Sequence, residues 1–294
     1  MIVESIGGIF LDNNLLVKVA ELFHADGRDL KLLGGFSNNV YECKKNNHSF
    51  ILKFYLNSMY KKEKLEAELD WISFLMRSGV NVTAPLPSIN GNYLEIIHED
   101  NNESYYVLAF EKAEGALIDT NNPNEWNSKL FYKWGKTMGK LHSLSKIYHP
   151  PGNIKKQNWN EGTIFTKDLK GLNETIIQKW EEYVDVLKTY PSNGEFYGMI
   201  HNDLHHGNFY LHDNEIVLFD FGDCEYNWFV YDIAIVLYHA IQTINEDDIQ
   251  LRKDFASGFF STFMQGYFTE NKLDTYWLSK IPFFLNYRQM FSAK

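Results

Sequence analysis

Residues 200–208 read IHNDLHHGN, setting three histidines, one aspartate and two asparagines within nine positions. His201 and His205 have the spacing of zinc ligands on one helical face, but that motif needs a glutamate directly after the first histidine. Asn202 stands there instead, and Gly207–Asn208 breaks any helix. A polar turn without chemistry is the plain alternative. Twelve residues after Asn208, the apolar run VLF leads into Asp220-Phe-Gly-Asp. The combination H-x-D-x-x-x-x-N, then D-F-G, has a definite chemical use. Phosphoryl transfer needs one carboxylate to orient the attacking hydroxyl and hard oxygen ligands to hold Mg²⁺ on the nucleotide phosphates. Asp203 suits the first role, and Asn208 and Asp220 suit the second. The histidines are then not ligands: His201 supports the loop through hydrogen bonds, and His206 has no separate chemical role.

Such chemistry requires further parts upstream. A lysine should sit on a strand, and FILKFY carries Lys53 among apolar neighbours. A helix should supply a carboxylate to pair with it. Glu68 lies fifteen residues on, in the helically spaced run KKEKLEAELDWISFLMRSG. Glu66 and Glu63 compete with it, because spacing alone does not set the helix phase. A glycine-bearing turn between the first two strands should approach the phosphates, and GGFSNN offers Gly35 and Ser37 there.

The surrounding elements divide in character. The first third alternates apolar runs with turn formers, which predicts antiparallel strands around one main helix. From about residue 126 the periodicity is helical, in LFYKWGKTMGKLHSLSK, TIIQKWEEYVDVLKTY, YDIAIVLYHAIQTI and KDFASGFFSTFMQGYF. The expected architecture is α+β and two-lobed. A small antiparallel β-sheet lobe with one main helix spans 1–110, a connector spans 111–115, and a larger, mostly helical lobe spans 116–294. Clefts between lobes are usual places for ligands.

The totals limit the function class. A formal net charge of −10, from 38 acidic and 28 basic residues, disfavours a binder of nucleic-acid backbones. It suits a cationic substrate or a solvated acidic surface. Two cysteines, Cys43 and Cys224, make no disulfide framework and no C-x-x-C site. The start MIVESIGGIF lacks a basic n-region, and no window approaches a membrane span. A cytoplasmic protein with no membrane partner is the expectation.

The chain resembles the aminoglycoside phosphotransferase and choline kinase family, whose fold is protein-kinase-like, over roughly residues 30–240. The resemblance rests on HNDLHHGN, LFDFGD and YDIA. In that family the loop reads H-G-D-L-H-x-x-N, so Asn202 replaces the usual glycine. The resemblance implies that Asp203 is catalytic, that Asn208 and Asp220 hold magnesium, and that Lys53 and Glu68 are the phosphate-binding lysine and its partner. It also implies that AFEKAEG is the connector, with the Glu111 carbonyl and Ala113 N–H meeting adenine and Phe110 behind the pocket. Asp232 would brace the catalytic loop, and His142 would be a packing residue.

The resulting expectation is an ATP- and Mg²⁺-dependent kinase of a small hydroxylated molecule. No A-P-E segment follows Asp220, which favours a small acceptor over a protein. The acceptor candidates are an aminoglycoside, an amino alcohol or a homoserine-like metabolite. Tyr226, Trp228, Tyr231 and Tyr287 form either a cage for a quaternary amine or ordinary core. Arg288 either meets a substrate carboxylate or lies on the surface. The rival class is a catalytically silent, kinase-like nucleotide-binding protein with a scaffold role.

Overall fold

The computed structural model describes residues 11–25, 27, 30–35, 39–45, 48–99, 103–162, 165 and 173–292. They form two compact units, one made of the described residues up to Glu114 with Pro150–Lys155 and the other of Gly115–His149 with those from Lys156 onward.

The first unit holds a six-stranded antiparallel sheet. Its strands are β1 (Lys31–Gly34), β2 (Val40–Lys45), β3 (His48–Leu56), β4 (Pro85–Leu86), β5 (Leu94–His98) and β6 (Ser104–Glu111). They run β1-β2-β3-β6-β4, with β5 also paired to β6. Period-two alternation places Leu52 and Phe54 of β3 in the core, both 0% exposed, and leaves Lys53 between them on the other face. Helix α1 (Asn13–Leu22), which the strand-rich reading of this region did not anticipate, is capped by the Asp12 side chain. It buries Leu15, Leu16, Val19 and Ala20 in one core with Phe50, Leu52, Phe54 and Val107. Helix α2 (Lys62–Arg77) turns Leu65, Glu68, Trp71, Ile72 and Leu75 inward.

The second unit is mostly helical: α3 (Ser128–Ser145), α4 (Glu174–Thr189), α5 (Phe229–Ile241), α6 (Ile249–Tyr267), the single turn α7 (Thr275–Leu278) and α8 (Ile281–Ser292). Two short antiparallel ladders interrupt it. One pairs β7 (Tyr197–Ile200) with β10 (Glu225–Trp228), and the other pairs β8 (Phe209–His212) with β9 (Glu215–Leu218). Helix α5 is apolar nearly all round and buried from Phe229 to Leu237, so it runs through the core of this unit. Among the described residues, no helix is long and apolar enough to cross a membrane.

Helices α3 and α6 touch through backbone. A Cβ at Gly135 would stand 1.8 Å from the Phe263 carbonyl oxygen, and one at Gly266 would stand 1.9 Å from that of Tyr132. Around this contact Trp134 meets Phe209 and Phe259 edge-on. Gly135→Ala should therefore force the helices apart and lower stability by about 1–3 kcal/mol, read from denaturant unfolding. Gly258, on the same α6 but with no atom within 4 Å of its added Cβ, is the control. Gly258→Ala should be neutral or stabilising by up to roughly 1 kcal/mol, through helix propensity alone.

Candidate active site

The two ladders of the second unit position the loop first singled out in the sequence. Strand β7 ends at Ile200 and β8 begins at Phe209, so residues 201–208 are the link between ladders. The β8–β9 hairpin turns on Asp213 and Asn214, at φ 47° and 66°, the left-handed pair that a tight two-residue turn requires. That turn sets Phe209 opposite Leu218, and the Phe219 N–H donates to the Asn208 carbonyl at 3.1 Å. Residues eleven apart in sequence are thereby bonded: Asn208 lies beside Phe219, the residue before Asp220.

The loop itself is held by Asp232 in the first turn of α5. This carboxylate is 0% exposed. It accepts from the Asn202 N–H (2.9 Å), the His201 N–H (3.2 Å) and His142 Nε2 (3.0 Å). A buried carboxylate is tolerated when donors surround it in this way. His142 is therefore more than the packing residue anticipated, although it also stacks on Phe229 at 4.4 Å. Its Nδ1 lies 2.8 Å from the Tyr267 hydroxyl, which accepts from Asn271 Nδ2 at 2.7 Å. Burial holds the imidazole below its usual pKa, against the pull of Asp232. One neutral tautomer satisfies the chain, with Tyr267 O–H donating to Nδ1 and Nε2–H donating to Asp232.

Asn202 occupies the position where the resembled family has glycine, and its φ is 67°. Asparagine is the side chain that best tolerates this left-handed region. Its Nδ2 also donates to the Asp223 carbonyl at 3.1 Å. The substitution thus keeps the bend that glycine would allow.

Asp203 is half-buried and held at both oxygens. Arg288 Nη2 donates to Oδ1 at 2.9 Å, and Asn208 Nδ2 donates to Oδ2 at 3.2 Å and to the Asp203 carbonyl at 2.8 Å. His205 Nε2 lies 3.5 Å from Oδ2. Burial would raise the carboxyl pKa, but the His205 hydrogen bond and the Arg288 charge outweigh it and hold Asp203 below the usual range. Arg288 Nη2 also donates to His239 Nε2 at 3.1 Å. Burial, and then the charge of Arg288, push His239 down to about 4, so it is neutral and presents a lone pair there.

The remaining histidines have separate partners. His201 is buried and its Nε2 donates to the Phe219 carbonyl at 3.2 Å, as a loop support should. The His205 Nδ1 accepts from the Gly207 N–H at 2.9 Å, and His206 lies edge-on to Trp126. Among the described residues, no three histidine, cysteine or carboxylate side chains are grouped to hold a metal, so the zinc spacing of His201 and His205 is not used as one. A harder donor set is available. The Asn208 amide nitrogen is spent on Asp203, which fixes Oδ1 as the free end, and Asp220 is exposed at φ 64°. Oxygens of this kind are the hard donors that suit a divalent cation.

The first unit carries the other anticipated residues. Gly34 and Gly35 have φ of 114° and 86°, at a register shift between β1 and β2, and a Cβ on Gly35 would strike Asn39 and Val40 at 2.7 Å. Ser37 lies outside the described residues. Lys53 is half-buried, with its Nζ 5.6 Å from the Phe110 ring. Helix phase distinguishes the three competing glutamates: Glu68 is 1% exposed, Glu66 pairs with Lys62 at 2.7 Å, and Glu63 is exposed. Glu111 ends β6, where its N–H donates to the Ala84 carbonyl, and Ala113 follows, half-buried.

Two alternatives that the sequence left open are decided. Tyr226, Trp228, Tyr231 and Tyr287 are all buried, at 7% exposure or less, and serve as core, not as a cage. Arg288 is not a surface residue. Its engagement with Asp203, 85 positions away, left no local signal in the sequence.

Comparison with known proteins identifies the family. Residues 30–270 match the model of the phosphotransferase enzyme family. The chain is 35% identical to an amicoumacin kinase of Bacillus subtilis (strain 168), over 98% of this chain and 85% of that protein. A solved amicoumacin kinase in complex with AMP-PNP, Ca²⁺ and Ami superposes with a TM-score of 0.86 at 32% identity, covering 96% of this chain and 84% of that one. A microcompartment-associated aminopropanol kinase shares the fold, with a TM-score of 0.72 at 21% identity over 93% of this chain and 86% of that one.

Two outcomes follow for the loop. Asn202→Gly should change stability by less than about 1 kcal/mol, whereas Asn202→Val, forced into the left-handed region, should cost roughly 1–3 kcal/mol in chemical denaturation. His142 and His239 are held neutral in the folded chain, while the unfolded chain binds protons near pH 6.5. Their stabilisation is complete above about pH 6.5 and is lost as the pH falls towards the folded value of His239, about 4. Melting temperature should drop across that window, and His239→Gln should flatten the drop.

Proposed function

We propose, on the premise that this chain belongs to the phosphotransferase enzyme family and is a kinase of small hydroxylated molecules, that Asp203 orients the acceptor hydroxyl for attack on the γ-phosphate of ATP. The observation that carries this reading is the hairpin register, which seats Asn208 beside the Asp220 segment while the Asn208 amide is committed to Asp203. An ionised Asp203 accepts the hydrogen bond of the hydroxyl and takes its proton as the phosphate is transferred. Asn208 Oδ1 and the Asp220 carboxylate would hold Mg²⁺. When bound, the cation neutralises negative charge on the transferring phosphates.

In the first unit, Lys53 would bind the phosphates, with the buried Glu68 as its partner and Gly35 approaching them. The Glu111 carbonyl and the Ala113 N–H would pair with adenine, with Phe110 behind it. The acceptor we favour is amicoumacin or a molecule like it, since the 35% identical relative is named for that activity. The net charge of −10 is compatible with an amine on the acceptor. A cytoplasmic site of action fits the two cysteines, which are buried in different units. The silent-scaffold reading is set aside, because the relatives are kinases and Lys53, Asp203, Asn208 and Asp220 are all present.

The test is incubation of the full chain with Mg-ATP and a panel containing amicoumacin, aminoglycosides and amino alcohols, scored by mass spectrometry for the gain of one phosphate. Transfer to amicoumacin is expected, and Asp203→Ala should lower the rate on the order of 10³-fold. An Asp203→Ala variant that transfers phosphate at the parent rate would remove the basis of the assignment.

A further inference from the structure

We propose that Arg288 is a positioning residue for the catalytic carboxylate, which makes the last helix, α8, part of the catalytic apparatus. The inference rests on the reading of Asp203 given above. Arg288 Nη2 has two hydrogens, and both are committed, one to Asp203 Oδ1 at 2.9 Å and the other to His239 Nε2 at 3.1 Å. This nitrogen cannot turn to an acceptor molecule without releasing Asp203 or His239. The opposite oxygen, Oδ2, is tied to Asn208 at 3.2 Å. A carboxylate bonded at both oxygens from two separate elements has lost its freedom to rotate. Each oxygen still has lone-pair capacity, so an incoming hydroxyl meets an acceptor of fixed direction.

The guanidinium is itself well placed. Its side chain is 18% exposed, against 24% for Asp203 and 21% for His239, so the three form a partly desolvated group in which the charge–charge contact is weakly screened. Tyr231 lies against Arg288. The preceding residue, Tyr287, is stacked on Trp180 at 5.7 Å and packed on Tyr231 at 5.2 Å, which anchors α8 at this turn. His239, on α5, receives the second hydrogen and so fixes the plane of the guanidinium. Arginine suits this post because its planar fork serves two acceptors at once, which a lysine ammonium on a flexible stem does less well.

The experiment measures two reactions of the full chain with Mg-ATP: transfer to amicoumacin and hydrolysis with water as the acceptor. A positioning role predicts that Arg288→Met lowers kcat of both reactions together, by about ten- to a hundred-fold, with KM for ATP within about twofold of the parent. Arg288→Lys should recover part of the loss. Loss of transfer with hydrolysis unchanged would overturn the proposal, because Arg288 would then be an acceptor contact. Unchanged rates in both reactions would overturn it too. If Arg288→Met melts near the assay temperature, Arg288→Lys decides by the same two rates. Asp203→Asn runs in parallel: if it retains hydrolysis and transfer, the reading of Asp203 has failed, and if it loses both while Arg288→Met loses neither, only the proposal has failed.

Discussion

A single buried carboxylate organises the loop at residues 201–208. Asp232 has no solvent exposure, so its charge is acceptable only because three donors converge on it. Two of these are the consecutive backbone N–H groups of His201 and Asn202, at the entry to the loop. The third is His142, which carries the constraint on to Tyr267 and Asn271. The loop entry is thereby tied to α5, α3 and the end of α6 in one hydrogen-bonded chain. Every member of it is 5% exposed or less, apart from the half-buried Asn202, so water cannot readily replace a lost partner. Asn202 takes the left-handed backbone, at φ 67°, immediately after these two N–H groups.

With the entry fixed, the hairpin of β8 and β9 supplies the other half of the geometry. Its two-residue turn sets the register, and the register carries Asn208 to the Asp220 segment. The Asn208 amide nitrogen then holds Asp203 at both its carbonyl and its carboxylate, which leaves the amide oxygen for the metal role proposed for it. The electrostatics close around the same point. Arg288 and His205 offset the cost of burying the Asp203 charge, while the neutral His239 accepts from the guanidinium without adding a competing charge. The histidines that make IHNDLHHGN conspicuous are therefore supports with separate partners, and the proposed chemistry rests on Asp203 between them and Asn208 after them.

Much of this was legible in the residue types. The order lysine, glutamate, H-x-D-x-x-x-x-N, D-F-G specifies a set of charges and oxygens for which phosphoryl transfer has a use, and the matching family and its relatives agree with it. Strand alternation around Lys53 and the helical periodicity beyond residue 126 were equally plain, because side-chain period reports burial directly. Other features were ambiguous for a physical reason. A run with Glu63, Glu66 and Glu68 has several plausible inward faces, and only packing of α2 shows that Glu68 is buried while Glu66 pairs with Lys62 at the surface. Helix α1 was missed because a ten-residue segment in a strand-rich stretch gives a short periodic signal.

The sequence by itself determined the reaction class, since the chemistry depends on which functional groups are present and in what order along the chain. Tertiary structure decided how they are held. Arg288 meets Asp203 across 85 residues, and His142 meets Asp232 across 90, and neither approach leaves a periodicity or a spacing to read. Such contacts arise from the folding of α8 and α3 against the rest of their unit, and burial then makes each one directional and costly to break. Tertiary structure also decided between core and cage for the four aromatic residues, because only packing reveals that their faces are already covered.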